Sequence, residues 1–286
     1  MRRNFLFSTI LSIALVSFTS LSHAAEKGMF WKMQSPTGVT SYLFGTMHTD
    51  DNRVSDLSPA VIGAIKSVDT FVMEAESGSD PQALMMKKGS LAEMITEAEF
   101  EQVRELADFH VMHLGAAMQM KPWLLAVIFD LPKPQTPYAQ DNLLMRKAED
   151  LGKEVIGIET SKEHFSVMDN FSMDEQMVML RAVLKRPAAE KEANFEKLIA
   201  AYIAGDSANV AALDDQMTGS ILPKDLWAKM RRKLVDERNV VMARRTVEKA
   251  KETPVFIAVG ASHLAGEAGL LSAFKNAGYK LTPMKE

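Results

Sequence analysis

The chain has 286 residues, is 47% hydrophobic and 24% charged, and carries a formal net charge of −4, so it is long enough for an ordinary globular core. It contains no cysteine, which excludes disulfides, Cys-ligated zinc, a thiol nucleophile and a lipid-anchored cysteine. The acidic balance gives no support for nucleic acid as a partner.

The first segment, "MRRNFLFSTILSIALVSFTSLSHA", has two arginines, a short apolar run and then small residues. This reads as a secretory signal peptide over residues 1–24, leaving 25–286 as the mature domain in the periplasm or secreted. The paired arginines also suit twin-arginine export, although ordinary secretion is the default reading. Removing two arginines and no acids takes the mature net charge to −6. No later apolar run approaches membrane-spanning length, so no membrane anchor is expected after cleavage.

"MFWKMQSPTGVTSYLFGTMH" reads as a hairpin turning at Ser35-Pro36-Thr37-Gly38. "LSPAVIGAIKSVD" follows as a helix capped by Ser58, with Pro59 in its first position. "TFVMEAE" is a short buried strand ending in carboxylates. Residues 91–120 look mainly helical, "WLLAVIFDL" is read as a buried helix, and "PKPQTP" is a loop. "DNLLMRKAEDLGK" is an amphipathic helix closed by Gly152, and "EVIGIET" is another buried strand. Residues 170–252 show apolar spacing of period 3.6 throughout. "PVFIAVG" returns to strand, "GLLSAFKNAG" is a helix closed by Gly278, and "YKLTPM" is a last strand. The order predicts an α/β fold: a central mixed sheet, flanking helices and a helix-rich insertion over about 170–252.

Two strand ends share one pattern. Gly45 and His48 follow the strand of "SYLFG", and Gly260 and His263 follow "VFIAVG". A glycine at a strand end permits a sharp turn and leaves room for a ligand. Open α/β sheets gather functional side chains at the carboxyl ends of their strands. Each histidine alone reads most simply as a turn residue bonded to backbone; the repetition favours a shared site. Two imidazoles need a third partner to hold a divalent cation well. Glu74 and Glu76 lie on one face of their strand at period two, and Glu74 is the nearer to the apolar run. Glu159 ends a comparable strand and is a second candidate. Two histidines and one carboxylate would leave a coordination position for water and bring its pKa towards ~7, while a spare carboxylate, Glu74 or Glu159, acts as general base.

Other sites are weaker. His110 and His113 stand three apart on a predicted helix, without a carboxylate to complete a set. His164 lies after "GIETSKE", exposed or lining a cleft. The chain has no His-Glu-x-x-His, Gly-x-Ser-x-Gly, P-loop or Gly-x-Gly-x-x-Gly motif. Ser262 and His263 are adjacent and tend to point apart, so no serine triad is suggested. The 20 methionines read as helical core, with "MVMLRAVL" and "ALMMKK" able to form an adaptable apolar groove.

"YLFGTMHTDD", "FVMEAE", "GKEVIGIET", "LVDERN" and "FIAVGASHLAGEAGLLSAFKNAGYKL" together resemble the TraB/GumN family, which is related to the Tiki metalloproteases. The resemblance runs from about residue 28 to the end, and the C-terminal Gly-x-x-His-Leu-x-Gly-x-x-Gly-Leu-Leu block is its most specific part. It implies a fold like that of erythromycin-esterase and ChaN-like proteins. It also implies a metal-dependent hydrolytic site of His48, His263 and Glu74, beside Gly45 and Gly260, with Arg238 and Asn239 orienting substrate or a carboxylate. The chain departs from the family at His164, where glutamine is frequent, and near Ala139, where glycine is frequent before the Asp141 helix. The expectation is an exported hydrolase, a peptidase acting on a peptide or small molecule with Mn, Co or Zn. The alternative is a periplasmic binding protein that sequesters a peptide or a haem or metal ligand without turnover. Esterase-like hydrolysis rests on fold analogy alone.

Overall fold

The computed structural model describes residues 27–78 and 80–285; residues 1–24, which the sequence suggests as a signal peptide, lie outside them. Six strands form one mixed sheet in the order β4-β3-β5-β2-β1-β6. They are β1 (Phe30–Gln34), β2 (Thr40–Thr46), β3 (Thr70–Ala75), β4 (Glu154–Glu159), β5 (Val255–Gly260) and β6 (Lys280–Met284). β1 and β2 make the expected hairpin, closed by a bond from the Gly38 amide to the Ser35 carbonyl at 2.9 Å. Gly38 has φ +90°, a conformation that glycine adopts without a Cβ penalty. β6 adds to β1 at the edge, where Pro283 is tolerated.

The inner four strands, β4, β3, β5 and β2, are mutually parallel. Their near-continuous apolar sequences match a sheet covered on both faces. On β5, Phe256 and Ala258 pack on one side with Phe44 and Phe71, against the helices Pro59–Lys66 and Gln140–Asp150. Val255, Ile257 and Val259 pack on the other, against residues of Ala188–Ile203, Glu237–Glu252 and Leu270–Asn276. Ser58 caps the first of these helices and Pro59 opens it. Gly278, with φ +85°, closes the last.

A second core lies away from the sheet. There Val103, Trp123, Phe129, Met177, Leu180 and Leu226 join the helices Glu97–Phe109, Pro122–Asp130, Met173–Lys185 and Lys224–Arg231. "WLLAVIFDL" is therefore helix, packed on a partner that comes 50 residues later. The long periodic segment after residue 224 is not one uniform α-helix: Arg232–Asp236 is a single π-helical turn, and the α-helix Glu237–Glu252 continues from it. Among the described residues no helix is long and apolar enough to cross a membrane.

Candidate active site at the carboxyl edge of the sheet

Parallel pairing brings the two Gly-x-x-His elements side by side. β2 and β5 are neighbours in register, with Gly45 opposite Val259 and Thr46 opposite Gly260. β3 flanks β5 on its other side and β4 follows, with Ala75 opposite Glu159. All four inner strands therefore end on one edge, and that edge carries His48, Glu74, Glu159 and His263.

The centre of the site is Arg238, in the first turn of the helix after the π-helical turn. Its guanidinium is buried, with the side chain 9% exposed. Nε donates to Glu159 Oε1 at 3.0 Å and Nη2 donates to Glu159 Oε2 at 2.8 Å. Nη2 also bonds Glu74 Oε1, and Nη1 donates to the Leu234 carbonyl at 3.1 Å. One planar cation thus holds the acidic ends of two adjacent strands, a use for which lysine lacks the fork.

Glu74 receives a further bond from the Gly260 amide at 2.9 Å. Burial alone would raise its carboxyl; the charge of Arg238 and these hydrogen bonds hold it well below the ordinary range, and a proton on His263 would add to that. Burial likewise opposes ionisation of Glu159, which His164 and Arg238 keep low. His164 Nδ1 donates to Glu159 Oε2 at 3.3 Å and lies 3.9 Å from Glu74 Oε1, so it belongs to the site.

His263 is held from both sides. Nδ1 donates to Asn239 Oδ1 at 2.6 Å. Nε2 accepts from Arg238 Nη1 at 3.3 Å and lies 3.8 Å from Glu74 Oε1. These partners require the neutral tautomer with hydrogen on Nδ1, and burial, reinforced by Arg238 though opposed by Glu74, lowers its pKa.

His48 is different. Its side chain is 71% exposed, and Nδ1 lies 3.3 Å from Asp141 Oδ2. The hydrogen bond to Asp141 raises its pKa; partial desolvation by the protein wall behind the exposed ring opposes this, and the charges of Asp141 and Glu74 add to the rise. Thr46 donates to the other Asp141 oxygen. Gln140 Oε1 takes the Met47 amide at 2.9 Å, and Tyr202 donates to the Gly45 carbonyl at 2.6 Å.

The structure thus brings Glu74, Glu159, Arg238, Asn239 and His263 together in one network, with Gly260 bonded to it, and sets His48 beside it. Gly45 lies beneath, where an added Cβ would meet Leu264 Cδ1 at 2.6 Å. Glu76, past the end of β3, is exposed. His110 and His113 are not on one helix: His110 follows the end of Glu97–Phe109, Val111 reverses the chain at φ 57°, and His113 caps the next turn. That correction has a physical cause, since a left-handed residue ends the i,i+3 relationship. The residue reading passed over Asp141, Gln140 and Tyr202 as site residues, because their partners are close only in the fold.

The model of the TraB/PrgY/gumN family matches residues 29–283. The chain belongs to the TraB/PrgY/gumN family. No curated protein and no solved structure matches it. The matched span takes in five strands whole and β6 as far as Pro283, with each candidate residue from His48 to His263.

Among the described residues no three His, Asp or Glu side chains form a ready-made cation cage. The donor chemistry nevertheless fits a divalent cation. His263 Nε2 carries a lone pair that accepts from Arg238 Nη1 and lies 3.8 Å from Glu74 Oε1, its tautomer is fixed by Asn239, and His48 stands on the neighbouring strand end.

Proposed function

We propose that this edge is the active site of an exported hydrolase acting on peptide bonds, in which His48, His263 and Glu74 would hold a divalent cation, Mn, Co or Zn. The observation that carries this reading is the pairing of β2 with β5 in parallel, which sets two Gly-x-x-His elements together beside the anionic ends of β3 and β4. Such a cation supplies hydroxide at neutral pH by lowering the pKa of its bound water.

The chain's own groups then have distinct tasks. Asn239 keeps hydrogen on His263 Nδ1, so Nε2 carries the lone pair, which Arg238 Nη1 holds at 3.3 Å and which a cation would take over. Glu74, the more open of the two carboxylates at 24% side-chain exposure against 5% for Glu159, faces the reacting groups. It stays ionised at neutral pH; as a ligand it would hold the cation, and as the base it would take the proton of the attacking water, a choice that Glu74→Gln decides. The water oxygen bonds to the carbonyl carbon, the C–N bond breaks, and the proton passes to the leaving amine. Glu159 is buried against Arg238 and serves to position that arginine, so Glu74 is the carboxylate that faces the reacting groups.

Elemental analysis of untagged protein, with cleavage of a peptide library, tests this. About one equivalent of metal is expected, lost in His48→Ala and in His263→Ala. Cleavage lost in Glu74→Gln with metal kept assigns the base; metal lost with it assigns a ligand. Metal-replete wild-type protein that binds no cation and cleaves nothing overturns the reading. Peptide binding without cleavage would favour the sequestering alternative, for which the apolar cleft described next is the supporting feature.

A further inference from the structure

Two clefts adjoin the site. The first, about 370 Å³, is lined by His48 and by apolar side chains of the helical core, among them Val127, Met179, Met217 and Leu222. The second, about 350 Å³, is lined by Asn239 and Ser262, the neighbours of His263, and by Asp214, Asp215, Asp236 and Glu267. Asp214, Trp227, Arg231 and Val235 line both, so the clefts abut as the two arms of one channel; His48 lines the first, and His263 itself lines neither.

The two arms differ in chemistry. The first offers flexible, polarisable methionines, which accommodate large apolar side chains of varied shape. The second carries four carboxylates against one cation, Arg231, which is paired with Asp215 at 3.3 Å. Among the described residues Asp236 and Glu267 have no ion-pair partner. An occupant that leaves the first arm dry and complements the second must join a large apolar group to a positive charge.

We propose that the channel selects peptides in which a large apolar side chain adjoins a lysine or arginine, the apolar group seated in the methionine-lined arm and the cation in the acidic arm. This deepens the hydrolytic reading and rests on it for the identity of the bond that is cut.

The test is binding, read by fluorescence anisotropy with the full-length mature chain and with chelator present to suppress turnover. The probes are four pairs of labelled peptides, centred on Leu-Lys, Leu-Glu, Ala-Lys and Ala-Glu, the two members of each pair carrying the residues in opposite orders. Leu over Ala is expected to gain about tenfold or more in affinity, from burial of one aliphatic side chain. Lys over Glu is expected to gain about threefold or more at low salt, and to lose that advantage at high salt. Val127→Arg, on an exposed part of the apolar wall, removes the Leu preference. Asp236→Lys with Glu267→Lys, both exposed, reverses the Lys preference. All probes bound equally within about twofold, or a preference for Glu, overturns the proposal. Preference without cleavage by wild-type protein overturns only the hydrolytic reading, and cleavage without preference overturns only this one.

Discussion

His263 Nδ1 lies 2.6 Å from Asn239 Oδ1, and this contact decides which nitrogen of a buried imidazole faces Glu74. Asn239 is itself 1% exposed, so its amide is shielded from bulk solvent. Asn239→Leu keeps the volume and removes the acceptor. The Nδ1 hydrogen then has no fixed partner, and the tautomer and ring orientation relax. Cation affinity is expected to fall about ten- to a hundredfold, measured by competition with a chelating dye. Asn239→Asp retains an acceptor and is expected to bind at least as tightly as the wild type. Equal affinity in all three proteins would remove the orienting role.

Arg238 joins β3 to β4 through Glu74 and Glu159 and is the most demanding position in the site. Arg238→Gln leaves two carboxylates in a largely buried space without a cation, and a loss of roughly 3–5 kcal/mol is expected. Arg238→Lys recovers little, because one ammonium cannot satisfy both carboxylates in the same plane. The pH dependence fixes the sign. Both carboxyls titrate below their ordinary value of 4.5 in the folded chain. Their stabilisation is present above that value and is lost as pH falls through the folded pKa. In Arg238→Gln both pKa values rise, so the deficit against wild type is largest at neutral pH and narrows in acid. Urea midpoints of both proteins at several pH values measure it; a deficit independent of pH would refute the ion-pair account.

How much of this was legible in the sequence follows from the range of each interaction. The strands, the hairpin at Gly38, the Ser58 cap and the closing Gly278 rest on contacts within a few residues, and they were readable. The repetition of Gly-x-x-His was readable too, because both copies follow apolar strands. The convergence of Glu74, Glu159 and His263 depends on strand order, which periodicity does not encode. His164 lies five residues after Glu159 and shares its site only because the helix Ser161–Asp169 starts directly at the strand end. The π-helical turn at Arg232–Asp236 is hidden most deeply. It shifts the phase of the helix just before Arg238 and Asn239, in a segment whose apolar spacing looks regular, and such turns recur at functional sites. Those two residues entered through the family resemblance alone.

The glycines of the site are not equivalent. A Cβ on Gly157 would lie 2.2 Å from the Glu76 amide nitrogen, and backbone cannot yield as a side chain does. A Cβ on Gly45 would meet the end of Leu264 at 2.6 Å and Ala261 Cα at 3.2 Å. A Cβ on Gly260 would find ordinary contacts, Glu74 Oε2 at 3.4 Å and His263 Cδ2 at 3.6 Å. Alanine is therefore expected to cost most at 157, at or above the top of roughly 1–3 kcal/mol, less at 45, and least at 260. Thermal unfolding of the three variants gives the order. Gly260→Ala as the most damaging of the three would mean that its role lies in freedom of the backbone rather than in space.

His110 supplies a pH effect that is independent of the site. Its ring stacks on Phe129 at 5.8 Å between centroids, and its buried Nε2 has no hydrogen-bond partner. Burial, with a smaller contribution from the Lys191 charge, pushes its pKa down to about 4, from 6.5 in the unfolded chain. Between those values the unfolded chain binds a proton that the folded chain does not. His110 therefore destabilises the protein progressively as pH falls from 6.5 towards 4, and its effect levels off below the folded pKa. His110→Phe keeps an aromatic ring against Phe129 and removes both the proton site and the unpartnered nitrogen. The variant is expected to match or exceed wild-type stability at neutral pH and to gain on it as the pH is lowered to 5. Thermal midpoints across this range measure the divergence. Parallel curves would show that His110 is free to protonate in the folded chain, by opening of the Glu97–Phe109 helix end against Phe129.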